Sequence, residues 1–229
     1  MEVLRALFMG LYTVALYLGL PLLGWGLEDR LGFLAVPQRL GYALVVAASG
    51  LSLAYVAARD PGTFHLERGQ EDKQVSRQHA VRVVILVLLY AVLAGLPFAD
   101  RRGIAVMQGA GAARWVGVVL RCVGTAFTLW SSVARGRLYS PEVTIQKDHH
   151  WVTSGPYRVV RHPRCLGALA MAAGLALIFR SWIGLALLPP FAAILAFRIR
   201  DEEALMRREF GEEWEDYCRR TRRVIPFVY

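Results

Sequence analysis

Ser154-Gly155-Pro156-Tyr157-Arg158-Val159-Val160-Arg161-His162-Pro163-Arg164-Cys165-Leu166-Gly167-Ala168-Leu169-Ala170 passes from turn-forming and cationic residues straight into an apolar stretch. That stretch runs from Cys165 to Phe179. After Arg180 a second one runs from Ser181 to Phe197 and ends on Arg198-Ile199-Arg200-Asp201-Glu202-Glu203. The two runs are short and joined by a single arginine, so they read as a tight helical hairpin over residues 163–200. A hairpin returns both polar clusters to the same edge of a bilayer. Charge is costly there, so two clusters at one edge point to a site.

Outward from the hairpin the chain is built of the same material. Uncharged runs extend over Ala6–Trp25, Leu40–Ala58 and Val83–Ala99, and Trp115–Ala134 is interrupted only by Arg121. About 20 apolar residues, with a range of roughly 17–25, cross a bilayer as a helix. At 55% hydrophobic residues and a mean hydropathy of +0.38, the 229-residue chain is too apolar for a soluble domain. The expected fold is therefore an all-α integral membrane protein with about six transmembrane segments. Residues 1–135 read as transmembrane scaffold helices, and residues 136–229 as a cofactor-binding and catalytic region that includes the hairpin. The first run has too long an apolar core for a cleavable signal, carries Glu2 beside Arg5, and lacks a small-x-small cleavage site, so it should stay as a helix.

Basic residues set an orientation. Alternating six spans places twenty Lys and Arg on one side and Arg30, Arg39, Arg101, Arg102, Arg114 and Arg180 on the other. The positive-inside rule puts the first side, with both termini and the C-terminal region, in the cytosol. The membrane is then a bacterial or archaeal plasma membrane, or the endoplasmic reticulum in a eukaryote. A net charge of +9 suits contact with anionic lipid headgroups, and the basic residues line membrane boundaries, which argues against nucleic acid as a partner. Cys122, Cys165 and Cys218 form no CxxC, and His149, His150 and His162 lack matching Cys or Asp ligands, so no metal site is expected. Oligomeric state has no signature in the sequence.

In the polar clusters, Pro163 fits the first position of a helix because its missing N–H needs no partner there. The residue before a proline is kept from helical geometry, so His162 should stand at the helix mouth, beside backbone donors that favour an anionic group. The plainer reading is a capped interfacial helix, with Arg161 and Arg164 reaching toward lipid phosphates. Gly167, Ala168, Ala170, Ala172, Ala173 and Gly174 would let this helix pack closely on a neighbour. Arg198 and Glu202, four apart, share a helix face, and could form an ion pair or hold two oppositely charged groups. Asp201 and Glu203 point elsewhere and read as solvated. The helix after Phe197 should project past the membrane edge and break at Gly211 with a positive φ. Phe210, Trp214 and Tyr217 then make one aromatic stripe, which reads as packing. Arg121, inside the fourth run, could snorkel, pair with a carboxylate or line a cavity.

The stretch from Gln146 to Tyr229 resembles the isoprenylcysteine carboxyl methyltransferase family and, more distantly, the phospholipid methyltransferases. The resemblance is carried by His149-His150-Trp151-Val152-Thr153-Ser154-Gly155-Pro156-Tyr157, by Arg161-His162-Pro163 with Gly167, by Arg198 to Glu203, by Phe210-Gly211-Glu212-Glu213-Trp214 and by Ile225-Pro226-Phe227. It implies a membrane enzyme that uses S-adenosylmethionine without a dinucleotide-binding domain, and no GxGxxG follows a strand pattern here. It further implies that Gln146, His149, His150, Trp151, Val152, Tyr157, His162, Pro163, Arg164, Cys165 and Glu202 surround the cofactor. Arg198 would be the catalytic and substrate-binding residue. The family usually has tyrosine where this chain has Cys165, which removes a hydroxyl or an aromatic wall. The implied partner is a lipophilic small molecule or prenylated substrate within membrane lipids. Transfer of a methyl from a sulfonium needs alignment more than acid–base help, and a carboxylate is already a nucleophile at neutral pH. An arginine could orient that carboxylate through a bidentate contact. N-methylation of an amine headgroup, which needs a base, a nicotinamide-dependent reductase of similar fold, and a non-catalytic membrane protein remain the alternatives.

Overall fold

Each long apolar run is a helix in the structure, a computed structural model that describes residues 2–59, 73–74, 77–135, 144–145 and 152–224. The chain opens with α1 (Glu2–Val14), a π-helical turn (Ala15–Gly19) and α2 (Leu20–Trp25), which run on as one apolar span. Pro21 explains a polar contact beside the π turn. It has no N–H to give the carbonyl of Tyr17 four residues earlier, and the Tyr42 hydroxyl donates to that oxygen instead. A short 3-10 turn (Leu27–Asp29) leads to α3 (Arg30–Ala35), whose first turn is capped by Asp29 accepting from the Gly32 N–H at 3.2 Å. The helices α4 (Pro37–Arg59), α5 (Arg77–Arg102) and α6 (Gly111–Arg135) follow. Two-residue strands, β1 (Lys73–Gln74) between α4 and α5 and β2 (Thr144–Ile145) after α6, pair antiparallel, Lys73 opposite Ile145. A 3-10 turn (Gly155–Arg158), α7 (Pro163–Ile178), α8 (Trp182–Ala186) and α9 (Leu188–Arg220) complete the described chain.

Among the described residues, five stretches are long and apolar enough to span a bilayer: Val3–Trp25, Pro37–Arg59, Ala80–Arg102, Gly111–Ala134 and Trp182–Arg220. The fifth expected segment, α7, is a shorter apolar helix of 16 residues. The run Ser181–Phe197, expected as one short helix, is instead α8 plus the first turns of α9. Pro189 and Pro190 account for the interruption, since a residue without an N–H can open a helix but not continue one. α9 then carries on through the charged cluster to Arg220, kinked at Gly211 where φ is 51°. Across that kink Met206 packs with Trp214 and Tyr217, joined by Phe210, so the aromatic stripe is packing, as read from its spacing.

The small residues of α7 meet matching glycines on α6. A Cβ at Gly167 would lie 2.8 Å from the Gly124 carbonyl oxygen, and one at Gly174 would lie 2.6 Å from that of Gly117. Two pairs of glycines, seven apart on each helix, thus bring the backbones into direct contact. The main core gathers Trp25, Phe33, Tyr42, Val46, Leu93, Leu96, Leu175, Ile178 and Phe179 around the far end of α7. Beside it Asp100, buried, binds Arg114 at 3.1 Å and Arg180 at 2.5 Å, with Arg39 at 3.7 Å. Those contacts tie α4, α5, α6 and the α7–α8 turn together. A carboxylate withdrawn from water needs this surplus of cationic donors.

Candidate functional site

The polar clusters on either side of the apolar pair come together. Ser154-Gly155-Pro156 turns the chain with Gly155 at φ +59°, its Cα side pressed toward Trp130 and Ala134 of α6. Pro156 and Tyr157 are buried, and the Tyr217 hydroxyl donates to the Tyr157 carbonyl at 2.7 Å. Next, the chain from Val159 to His162 runs parallel to residues 222–223 returning from α9. The Arg161 N–H donates to Arg222 O at 2.7 Å, the His162 N–H to Arg223 O at 2.9 Å, and the Arg222 N–H to Val159 O at 3.0 Å. His162 is therefore held to the end of the chain through its backbone N–H.

His162 has φ −122° and ψ 58°, outside the helix, and Pro163 begins α7, as the sequence implies. The mouth holds fewer spare backbone donors than expected. Pro163 supplies none, and the Cys165 N–H turns back onto the His162 carbonyl at 3.0 Å. Cationic side chains from Arg164 and Arg198 make up the positive character there.

Glu202 and Glu203 are adjacent in sequence and divide sharply in the structure. The expectation that Glu203 and Asp201 are solvated is wrong: both are buried, and the Glu203 side chain is 1% exposed. Its Oε1 accepts from Arg161 Nε at 3.0 Å and lies 3.4 Å from His162 Nε2; its Oε2 accepts from Arg223 Nε at 2.9 Å. Arg161 also donates to the Thr221 carbonyl at 2.6 Å and the Cys218 carbonyl at 3.1 Å, so it does not reach for lipid. Glu203 is the fastener that holds the RHP segment against the end of α9. Glu202, on the next position around the helix, keeps 22% of its side chain exposed and approaches His162 Nδ1 at 3.7 Å. Of the two carboxylates, Glu202 is the one a ligand can reach.

Both clusters open on a cavity of about 460 Å³, within the range of roughly 300–1,000 Å³ usual for small-molecule sites. At one end it is lined by Tyr157, His162, Pro163 and Arg164, with Cys165 beside them, and across from these by Arg198 and Glu202. These predicted residues converge although some forty positions separate the two groups. Val152 is described, half-buried, and does not line the cavity. Gln146, His149, His150 and Trp151 lie outside the described residues. Most of the remaining wall is apolar, from α5 (Leu89, Val92), α7 (Ala168, Met171) and the start of α9 (Leu188, Phe191). Sequence reasoning missed Glu203, because an EE doublet on a helix does not say which side is covered. It left Arg121 unassigned, and the structure lines the cavity with it; Tyr17 and Thr128 join it there.

Residues 112–213, from the start of α6 into the last limb of α9, match the phospholipid methyltransferase family. A probable protein-S-isoprenylcysteine O-methyltransferase of Oryza sativa subsp. indica is 28% identical over 120 residues, which are 50% of this chain and 61% of that one. The chain thus spans about three-fifths of that relative. The Delta(14)-sterol reductase TM7SF2 of Mus musculus is 36% identical over 86 residues, covering 34% of this chain and 19% of that protein. Among solved structures, that of the eukaryotic intramembrane Ras methyltransferase ICMT aligns over 96% of this chain and 98% of its own, with a TM-score of 0.46 and 15% identity.

Proposed function

We infer that this chain, a member of the isoprenylcysteine carboxyl methyltransferase family, is an integral membrane enzyme that moves a methyl group from S-adenosylmethionine to a lipophilic acceptor. The acceptor group is a carboxylate, such as that of an isoprenylated cysteine or an analogue. The observation that carries this reading is the cavity itself: Glu202, Arg198 and His162 meet at one end of a space whose walls beyond them are mainly apolar. A water-soluble, charged donor suits the first end, and a hydrocarbon acceptor suits the rest.

The residues present fit the donor. It carries an α-ammonium and an α-carboxylate. Glu202 is a reachable carboxylate for the first, while Arg164, in the first turn of α7, offers positive charge to the second. Tyr157 and Cys165 would flank it. When bound, S-adenosylmethionine supplies an activated methyl group. The chain's own task is then alignment: Arg198 fixes the two oxygens of the acceptor carboxylate in one plane, and the apolar walls keep water from competing. No base is needed for this acceptor. His162 fits that scheme, because its two ring nitrogens face Glu202 and Glu203 and its role is to hold their spacing. The charge asymmetry of the sequence would place this end of the cavity at the cytosolic face.

The stretch shared with a sterol reductase supports a second reading, hydride transfer from a nicotinamide cofactor. Calorimetric titration of the detergent-purified protein separates the two. Saturable binding of S-adenosylhomocysteine, with transfer of label from S-adenosylmethionine into a lipid extract or a prenylcysteine analogue, is the expected result. Binding of a reduced nicotinamide dinucleotide without S-adenosylhomocysteine binding would replace the methyltransferase with the reductase.

A further inference from the structure

Arg121 lies in the middle of α6, 4% exposed, in a helix long and apolar enough to span a bilayer. A guanidinium at such a depth is costly and needs a compensating role. No carboxylate among the described residues pairs with it. Its guanidinium rests over the rings of Tyr17, at 4.7 Å, and Tyr42, at 5.5 Å, and its buried Nε has no hydrogen-bond partner among the described residues. It also lines the cavity. The π-helical turn that contains Tyr17, another lining residue, adds a second mark, since such bulges inside helices gather at functional sites.

The depth can be read from α7. A Cβ at Gly174 would touch the Arg121 backbone N at 2.8 Å, so Arg121 stands level with Gly174. Gly174 is eleven positions beyond Pro163 in the same helix, which at 1.5 Å per residue is about 16 Å from the His162 mouth. Side chains lean toward the N-terminus of their helix, which carries the guanidinium farther still from that mouth. Tyr42, which it approaches, packs edge-on against Phe179 at the far end of α7. Between the two cationic ends the cavity wall on α7 is Ala168, Met171 and Ala172. One space therefore has Arg198 near one end, Arg121 near the other, and apolar wall between.

We propose that Arg121 is a distal anchor of the acceptor site, taking a hydrogen-bond-accepting oxygen group at the end of a lipophilic substrate remote from the carboxylate that is methylated. The proposal rests on the methyltransferase reading for the near end only. The substrate class it names is a long-chain molecule with an oxygen function at both ends, of which a carboxylate matches the planar guanidinium best.

The test measures equilibrium binding of three probes to the full chain in detergent: hexadecanoic acid, hexadecanedioic acid and omega-hydroxyhexadecanoic acid. The protein should bind the dicarboxylic acid about tenfold or more tighter than the monocarboxylic acid, the scale of one charged hydrogen bond. In Arg121→Leu that preference should disappear, and Arg121→Lys should keep part of it. If the hydroxy acid shares the preference, a neutral oxygen suffices; if only the dicarboxylic acid has it, the anchor requires an oxyanion. Both results support the anchor. S-Adenosylhomocysteine binding and thermal melting serve as fold controls, with Arg121→Gln in reserve should the leucine variant not fold. Equal affinity for all three probes in the native chain, or a preference that survives in Arg121→Leu, overturns the anchor and leaves Arg121 as a stacking partner of Tyr17 and Tyr42. Failure of S-adenosylhomocysteine to bind the native chain would remove the methyltransferase reading instead, and the probe ratio would still decide the anchor.

Discussion

Exchanging each of two neighbouring carboxylates for its amide should give opposite signatures. In Glu203→Gln the buried side chain loses its charge and one of its two acceptor oxygens. Arg161 Nε at 3.0 Å and Arg223 Nε at 2.9 Å each donate to a different oxygen, so one of them must now face an amide N–H. Removing one member of a buried ion pair typically costs about 3–5 kcal/mol. Arg223 is 30% exposed and can recover water, and the amide still accepts from one guanidinium, so about 3 kcal/mol is the expected loss. Residues 221–224 are strapped to the RHP segment through this carboxylate and three backbone bonds, so thermal melting in detergent should fall by several degrees. In Glu202→Gln the side chain at the cavity keeps its shape and gives up its charge. Loss of a charged hydrogen bond to an ammonium, about 1.5–3 kcal/mol, should weaken S-adenosylhomocysteine binding roughly 10- to 150-fold. Its melting should stay near that of the native chain. Calorimetric titration beside a melting curve reads both effects on the same samples. If Glu203→Gln keeps its melting temperature and loses ligand affinity while Glu202→Gln does the reverse, the division of roles is inverted and the reasoning fails.

Arg198→Lys keeps the charge but not the planar fork, so single-turnover methyl transfer should lose most of its rate with cofactor-analogue affinity nearly intact; native rates would remove Arg198 from the chemistry. Gly167→Ala puts a Cβ 2.5 Å from Thr128 Oγ1 and 2.8 Å from a backbone carbonyl, and the second cannot rotate away. Forcing α6 and α7 apart should cost about 1–3 kcal/mol, seen as a lower melting temperature, and an unchanged melt would show that the two helices do not pack this closely. For orientation, reporter fusions at Tyr229 should read cytosolic, given twenty basic residues on that side against six on the other. A reporter active only on the opposite face would reverse the assignment.

What the sequence settled by itself was local or compositional. Apolar runs of bilayer length announce helices because the backbone has no other way to pair its polar groups in lipid. Pro163 marks a helix start and holds His162 outside it, and Gly211 marks a break with positive φ, because both effects arise within one or two residues of the chain. The motifs around His162 and Arg198 likewise named most of the described residues that line one end of the cavity. The sequence did not reveal that Pro189 and Pro190 would divide the last apolar run, although that signal was present. What only the tertiary structure decided was which polar groups are enclosed and by whom. Glu202 and Glu203 are chemically identical neighbours, and the helical turn between them carries no information about which faces a cavity. That depends on Arg161, 42 positions earlier, and Arg223, 20 positions later, arriving on one side. Arg121 is one cation in an apolar run until Tyr17 and Tyr42 come beneath it and the cavity opens alongside. The energy of a charge in a membrane depends on its three-dimensional surroundings, which the order of residues along the chain does not specify.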